Sequence, residues 1–179
     1  MELGEILKEK GALMFGDFTL TSGKKSSYYV NIKKAYTDPS VLRSIGEAMA
    51  THVRGSRVAG VALGAIPLVV AVSLITGKNF SMLRKEERQH GTAARIEGEI
   101  GKGEVVDILE DVTTTGGSVV AAIHAVREAG GKVERVIVVV DRGEGAAEAL
   151  EKEGVQLLPM VTASDLGEML ARSGRSKKS

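Results

Sequence analysis

Residues 110–118 read Glu-Asp-Val-Thr-Thr-Thr-Gly-Gly-Ser. Thr113, Thr114, Thr115 and Ser118 supply hydroxyls, while Gly116 and Gly117 let backbone N–H groups come close to an anion. A helix beginning at the glycines would add its positive N-terminal end to that attraction. Such a run is suited to a phosphate monoester. Glu110 and Asp111 stand directly before it, where negative charge would repel the same anion. A ligand that joins a phosphate to a set of hydroxyls resolves the conflict, because carboxylates accept hydrogen bonds from ribose 2′ and 3′ hydroxyls. The pair can also help hold Mg²⁺, with Asp111 as the metal candidate, directly or through water. The chemistry implied is recognition of a ribose 5-phosphate. A plainer account is a helix N-cap with acidic residues near the positive end of the dipole; the density of Thr and Gly favours the ligand. The run is not a Walker loop, since no Gly-Lys-Thr/Ser follows, nor the dinucleotide fingerprint, since G-x-G-x-x-G is absent.

The elements that must position these groups follow from pattern. Residues 2–11 read as a short helix closed by Gly11, and residues 15–29 as a hairpin or extended arm around a Ser-Gly turn. Asp38-Pro39 opens an amphipathic helix with Leu42, Ile45, Met49 and Val53 on one stripe. Strand 57–63, helix 66–76 and strand 79–84 come next. Residues 84–104 are polar and Gly-containing, a long excursion from the core of the kind that is usually functional or disordered. Strand 104–110 leads into the Thr/Gly run, followed by helix 117–129, strand 133–140, helix 145–153 and strand 155–161. Ser164 is placed to cap a final helix to about Arg172. Strands alternating with helices predict an α/β fold, an open and mostly parallel sheet flanked by helices. Ligands in such folds bind at the carboxyl ends of strands, where the Thr/Gly run sits.

Length and composition bound the rest. A chain of 179 residues is expected to form one domain over 1–171, with an N-terminal arm to about residue 37, a mobile loop at about 84–95 and a basic, frayed tail over 172–179. The 24 Lys and Arg nearly balance 23 Asp and Glu, which gives no global sign of nucleic acid or an anionic membrane. No cysteine is present, which suits a reducing cytoplasm, and the charged start lacks a secretory signal. Val58–Gly77 is uncharged and long enough to span a bilayer. Gly60, Gly64 and Pro67 divide it instead into a buried strand, a turn and a helix. His52 and His124 fall on helices and are assigned no chemistry, and three histidines without cysteine do not favour zinc.

The acidic-Thr-Gly stretch resembles the ribose-phosphate signature of type I phosphoribosyltransferases. Further segments extend the likeness, in the same order, to the orotate phosphoribosyltransferases. Residues 15–29 resemble that family's N-terminal arm, 60–67 its pyrophosphate loop, 84–91 its mobile catalytic loop and 140–145 its base-binding strand end. The resemblance implies a type I phosphoribosyltransferase fold with a small N-terminal hood. The implied activity is Mg²⁺-dependent transfer of phosphoribose from phosphoribosyl pyrophosphate (PRPP) to orotate, giving orotidine 5′-phosphate and pyrophosphate. It implies that Arg84, Lys85, Arg88 and His90 neutralise the departing pyrophosphate, with Lys85, Arg88, His90 and Asp111 as the catalytic set. PRPP would be held by those loop residues together with Glu110, Asp111, Thr113, Thr114, Thr115, Gly116, Gly117 and Ser118. Orotate would meet Arg142 at its anionic edge, Thr114 by hydrogen bond, Tyr29 or Tyr28 by ring contact, and Lys25. A homodimer with shared active sites and a cytoplasmic location are implied as well. Some family members carry lysines where this chain has Thr21 and Gly64, and Lys24 and Lys25 are candidates for the missing charge. Two other readings are a purine or uracil phosphoribosyltransferase and a non-catalytic PRPP sensor of the same fold. The arm and Arg142 favour an anionic pyrimidine over the first, and the intact 84–91 loop would be superfluous in the second.

Overall fold

The computed structural model describes residues 2–19, 25–84 and 95–176, with side chains to Arg172. A six-stranded sheet forms the centre. Its strands are β3 (Arg57–Val61), β4 (Asn79–Leu83), β5 (Ile96–Glu97), β6 (Val106–Thr113), β7 (Arg135–Asp141) and β8 (Gln156–Val161), in the order β5-β4-β3-β6-β7-β8. All neighbours are parallel except β5, which runs antiparallel to β4. A separate antiparallel hairpin, β1 (Leu13–Thr19) and β2 (Lys25–Val30), precedes it.

The strands are apolar on both sides because helices cover both faces. Successive side chains of β6 and β7 divide between two cores. Leu109 and Ile137 pack with Ile45, Met49, Leu68 and Val72 of α3 (Pro39–Ala50) and α4 (Ile66–Thr76). Ile108 and Val136 pack with Val119, Ile123 and Leu150 of α5 (Gly117–Glu128) and α6 (Ala146–Lys152). Three shorter or peripheral helices complete the chain: α1 (Leu3–Glu9), α2 (Ile32–Ala35) and α7 (Ala163–Ser176). The uncharged stretch 58–77 is β3, a turn and α4, closed by Gly77 in the left-handed region at φ 71°. No helix among the described residues is long and apolar enough to cross a membrane.

Three expectations change. First, β6 continues through Thr113 instead of ending at Glu110, because β7 runs alongside and pairs Thr113 with Asp141. Glu110 and Asp111 are therefore strand residues. Second, the stretch after residue 95 is held to the sheet. Glu104 accepts the Gly101 N–H at 2.8 Å and pairs with Arg57 at 3.1 Å, closing a tight turn beside β3. Third, the last helix is capped by Thr162 and not Ser164. Asp165 accepts the Thr162 N–H at 2.7 Å, and its own N–H donates to Thr162 Oγ1 at 3.2 Å, a reciprocal cap. That helix runs past Arg172 to Ser176.

Candidate active site

Strand order decides which loops meet. With β6 between β3 and β7, the turn after β3 (62–65), the loop after β6 (114–116) and the segment after β7 (142–145) stand side by side at the carboxyl end of the sheet. These are three of the segments singled out in the sequence.

In the central loop, Gly116 is the N-cap of α5, and its φ of +82° puts it in the left-handed region. A Cβ added there would lie 3.2 Å from the Ala146 Cα. Glycine is needed on both counts. No side chain caps α5, so the Thr hydroxyls are not consumed by the helix end, which argues against the N-cap account. Thr114 is half-buried, and Thr115, Gly117 and Ser118 are exposed. Thr113 differs: it is buried within the strand and its carbonyl accepts the Arg142 N–H at 3.1 Å.

The two carboxylates are not equivalent. Alternation along β6 sends them to opposite faces. Glu110 is buried, and its Oε1 accepts the Asp111 N–H at 3.0 Å. Asp111 is half-buried, and its Oδ1 accepts the Val112 N–H at 2.9 Å. The 62–65 turn lies against Asp111: a Cβ on Gly64 would sit 2.7 Å from Asp111 Oδ2. Any side chain at this position, including the lysine that some family members carry, would require the Asp111 carboxylate to shift.

Tyr36 completes the corner. Its hydroxyl donates to the Gly64 carbonyl at 3.0 Å. Burial first, then the charges of Asp111 and Glu110, push its phenol up to about 12. Nothing in the sequence singled out Tyr36, because its partners lie on other elements.

On the β7 side, the Arg142 guanidinium lies 5.4 Å from the centre of the Tyr28 ring. Its Nε is 3.1 Å from Glu144 Oε1, a charge contact without hydrogen-bond geometry. The hairpin thus brings Tyr28, and not Tyr29, to Arg142. Tyr29 points to the other face, 39% exposed and 5.7 Å from the Phe18 ring. Lys25 reaches across the hairpin, donating to Thr19 Oγ1 at 2.9 Å.

Arg84 marks the base of the charged stretch. It pairs with Glu97 at 2.9 Å, and its N–H donates to the Arg95 carbonyl at 2.8 Å. Arg84 and Arg95 line a cavity of about 190 Å³ with Ser118 and Ala122 of α5, so the base of that stretch adjoins the start of the helix. Lys85, Arg88 and His90, like Thr21 and Lys24, lie outside the described residues. A larger cavity of about 370 Å³ between the starts of α1 and α7 shares no residue with this site.

Comparison with known proteins agrees with this geometry. The family model for the phosphoribosyl transferase domain matches residues 33–158. The orotate phosphoribosyltransferase of Methanocaldococcus jannaschii is 50% identical over 167 residues, covering 92% of this chain and 95% of that one. The crystal structure of orotate phosphoribosyltransferase from Aeropyrum pernix superposes with a TM-score of 0.84 at 36% identity, covering 94% of this chain and 98% of the other. That of Mycobacterium tuberculosis, solved in complex with 5-phospho-alpha-D-ribosyl 1-diphosphate, gives 0.75 at 33% identity over 92% and 98%.

Proposed function

The chain belongs to the orotate phosphoribosyltransferase family of phosphoribosyl transferase domains, and from that premise we propose how its own residues carry the reaction. The enzyme transfers phosphoribose from PRPP to orotate, giving orotidine 5′-phosphate and pyrophosphate. The observation that carries the reading is the convergence of the 62–65 turn, the 114–117 loop and Arg142 around Asp111 at one end of the sheet.

The 5-phosphate sits on the loop N–H groups and the hydroxyls of Thr114, Thr115 and Ser118, at the start of α5. Asp111 accepts hydrogen bonds from the ribose hydroxyls, with Glu110 buried behind it orienting the strand end through the Asp111 N–H. Pyrophosphate lies toward the 62–65 turn. Orotate lies toward β7, its carboxylate facing Arg142, its ring beside Tyr28 and its polar edge within reach of Thr114. The C1–pyrophosphate bond breaks as the ring nitrogen attacks C1, through an oxocarbenium-like transition state and with no covalent enzyme intermediate. The electron pair of the broken bond leaves with pyrophosphate. Arg84, Lys85, Arg88 and His90 meet that growing charge.

Mg²⁺ fits this donor set. Among the described residues no three carboxylate, imidazole or thiol groups converge on one point, while Asp111 stands at the strand end beside the pyrophosphate turn. Mg²⁺ commonly takes one or two carboxylates and completes its shell with water and substrate phosphates. Bound with PRPP, it would neutralise phosphate charge.

The enzyme works as a cytoplasmic homodimer with shared sites. The outer side of α4 and the adjoining turn support an interface, exposing Leu63 (79%), Leu74 (81%) and Ile75 (43%). A base with a carboxylate is favoured over uracil or a purine because Arg142 presents a cation at the base end. The test is consumption of orotate with PRPP and Mg²⁺, beside uracil, hypoxanthine and adenine in parallel. Orotate alone should turn over well; preference for another base, or no turnover of any, refutes the assignment.

A further inference from the structure

We propose that Tyr36 is a positioning residue for the pyrophosphate end of the site, its hydroxyl latching the 62–65 turn against Asp111. The inference rests on the reading above and adds a residue to it.

The donor is held in place from several sides. Asn31 Oδ1 accepts the Lys34 N–H at 3.3 Å, and Thr37 Oγ1 donates to the Lys34 carbonyl at 2.8 Å. Asp38 accepts the Ser40 N–H at 2.9 Å and pairs with Lys10 at 2.7 Å. Between these ties the Tyr36 ring packs on the core shared by α3 and α4. The phenol therefore does not search for its acceptor. An ordinary phenol is protonated at any ordinary working pH, so the hydroxyl stays a donor to the Gly64 carbonyl.

The acceptor end needs holding. Backbone bonds fix the rims of the turn: Ala62 N–H donates to the Leu83 carbonyl at 2.7 Å, and Ala65 N–H to the Val61 carbonyl at 3.1 Å. Between them, the Leu63 and Gly64 N–H groups have no acceptor among the described residues. The Leu63 side chain is 79% exposed, and its carbonyl accepts the Ile66 N–H at 3.3 Å. Tyr36 is the side chain, among the described residues, that hydrogen-bonds the middle of the turn. Two adjacent backbone donors next to Asp111 can serve the pyrophosphate of a ligand whose ribose Asp111 holds. They do so only if the turn keeps its distance from that carboxylate.

The latch makes a selective prediction, because PRPP and pyrophosphate use the turn and orotidine 5′-phosphate does not. Calorimetric titration with each of the three, in the presence of Mg²⁺, should show Tyr36→Phe binding PRPP and pyrophosphate about three- to tenfold more weakly, the size of one neutral hydrogen bond. Affinity for orotidine 5′-phosphate should be unchanged, and KM for PRPP should rise by the same factor as its dissociation constant. Gly64→Ala leaves the hydroxyl intact but sets a methyl on the Asp111 carboxylate, so it should also weaken PRPP. Adding Tyr36→Phe to it should then cost little more, since both changes release one turn. Unchanged PRPP affinity in Tyr36→Phe, equal weakening of orotidine 5′-phosphate, or fully additive losses would each overturn the latch. A wild-type protein that binds none of the three would instead overturn the phosphoribosyltransferase reading, and the latch with it.

Discussion

Asp111 and Glu110, neighbours on β6, lie in two different environments. Asp111 is reachable at the strand end; Glu110 is buried and bound to the next backbone N–H. Asp111→Asn keeps the shape, removes the charge and replaces part of the acceptor set with a donor. A charge-assisted hydrogen bond contributes about 1.5–3 kcal/mol, so kcat/KM should fall at least tenfold while the melting temperature holds. Steady-state kinetics with a melting curve check this, and unchanged kinetics in a folded variant would remove Asp111 from the ribose site. Residue chemistry was the most legible part of the sequence. The acidic pair and the Thr/Gly run stand out by type and spacing alone, and Arg142 through the family resemblance. Which tyrosine meets Arg142 did not, because it depends on the parity of β2, and the pairing shifts register between Phe15 and Phe18 of β1. Tyr36 was silent for another reason: its contact with Gly64 exists only once two distant segments are packed.

Helix and strand identities were legible from periodicity except for the short α2 and β5, and α4 matches its expected bounds of 66–76. Boundaries failed where a tertiary partner overrode local sequence. The β7 backbone drew β6 out to Thr113, and Asp165 moved the cap of α7 back to Thr162. The Gly101–Glu104 turn gives a test in pH. Its Glu104 carboxyl is held below the usual range, first by the Gly101 N–H and then by Arg57. A depressed carboxyl contributes stability that is present above its unfolded value and lost as pH falls through the folded one. Melting temperature should therefore drop as pH is lowered below about 4.3, and Glu104→Gln should flatten that part of the profile; identical profiles would show that the turn holds by other contacts. The charged stretch after Arg84 should behave in the opposite way. Lys85→Ala with Arg88→Ala should lower turnover strongly and hardly move the melting temperature. A large loss of stability with normal turnover would make the stretch structural.

At the scale of the whole molecule, the shared-site model is open to complementation. One variant carries Asp111→Asn, the other Lys85→Ala plus Arg88→Ala, and each alone should be nearly inactive. In a mixed dimer one site collects both lesions, and the other receives an intact ribose motif from one chain and an intact charged stretch from the other. Subunit exchange should raise activity well above the sum of the parents, and blocking exchange should abolish the gain. Verified mixed dimers as inactive as their parents would place the stretch within its own chain. The overall architecture was legible because strands and helices alternate cleanly. The exposed apolar patch was not, since Leu63 and Leu74 in a sequence are indistinguishable from core residues until their exposure is known.

The hairpin that carries Tyr28 is a two-stranded sheet of its own, whereas the carboxylates stand on a strand paired on both sides. The two halves of the site therefore sit on ground of unequal permanence. Backbone amides of Ile108 and Leu109 should exchange with deuterium only when the whole molecule opens, while those of β1 and β2 should exchange through small local openings. On the proposed assignment of Tyr28 to the base, a local opening of this hairpin would admit or release the base with the sugar-phosphate still seated.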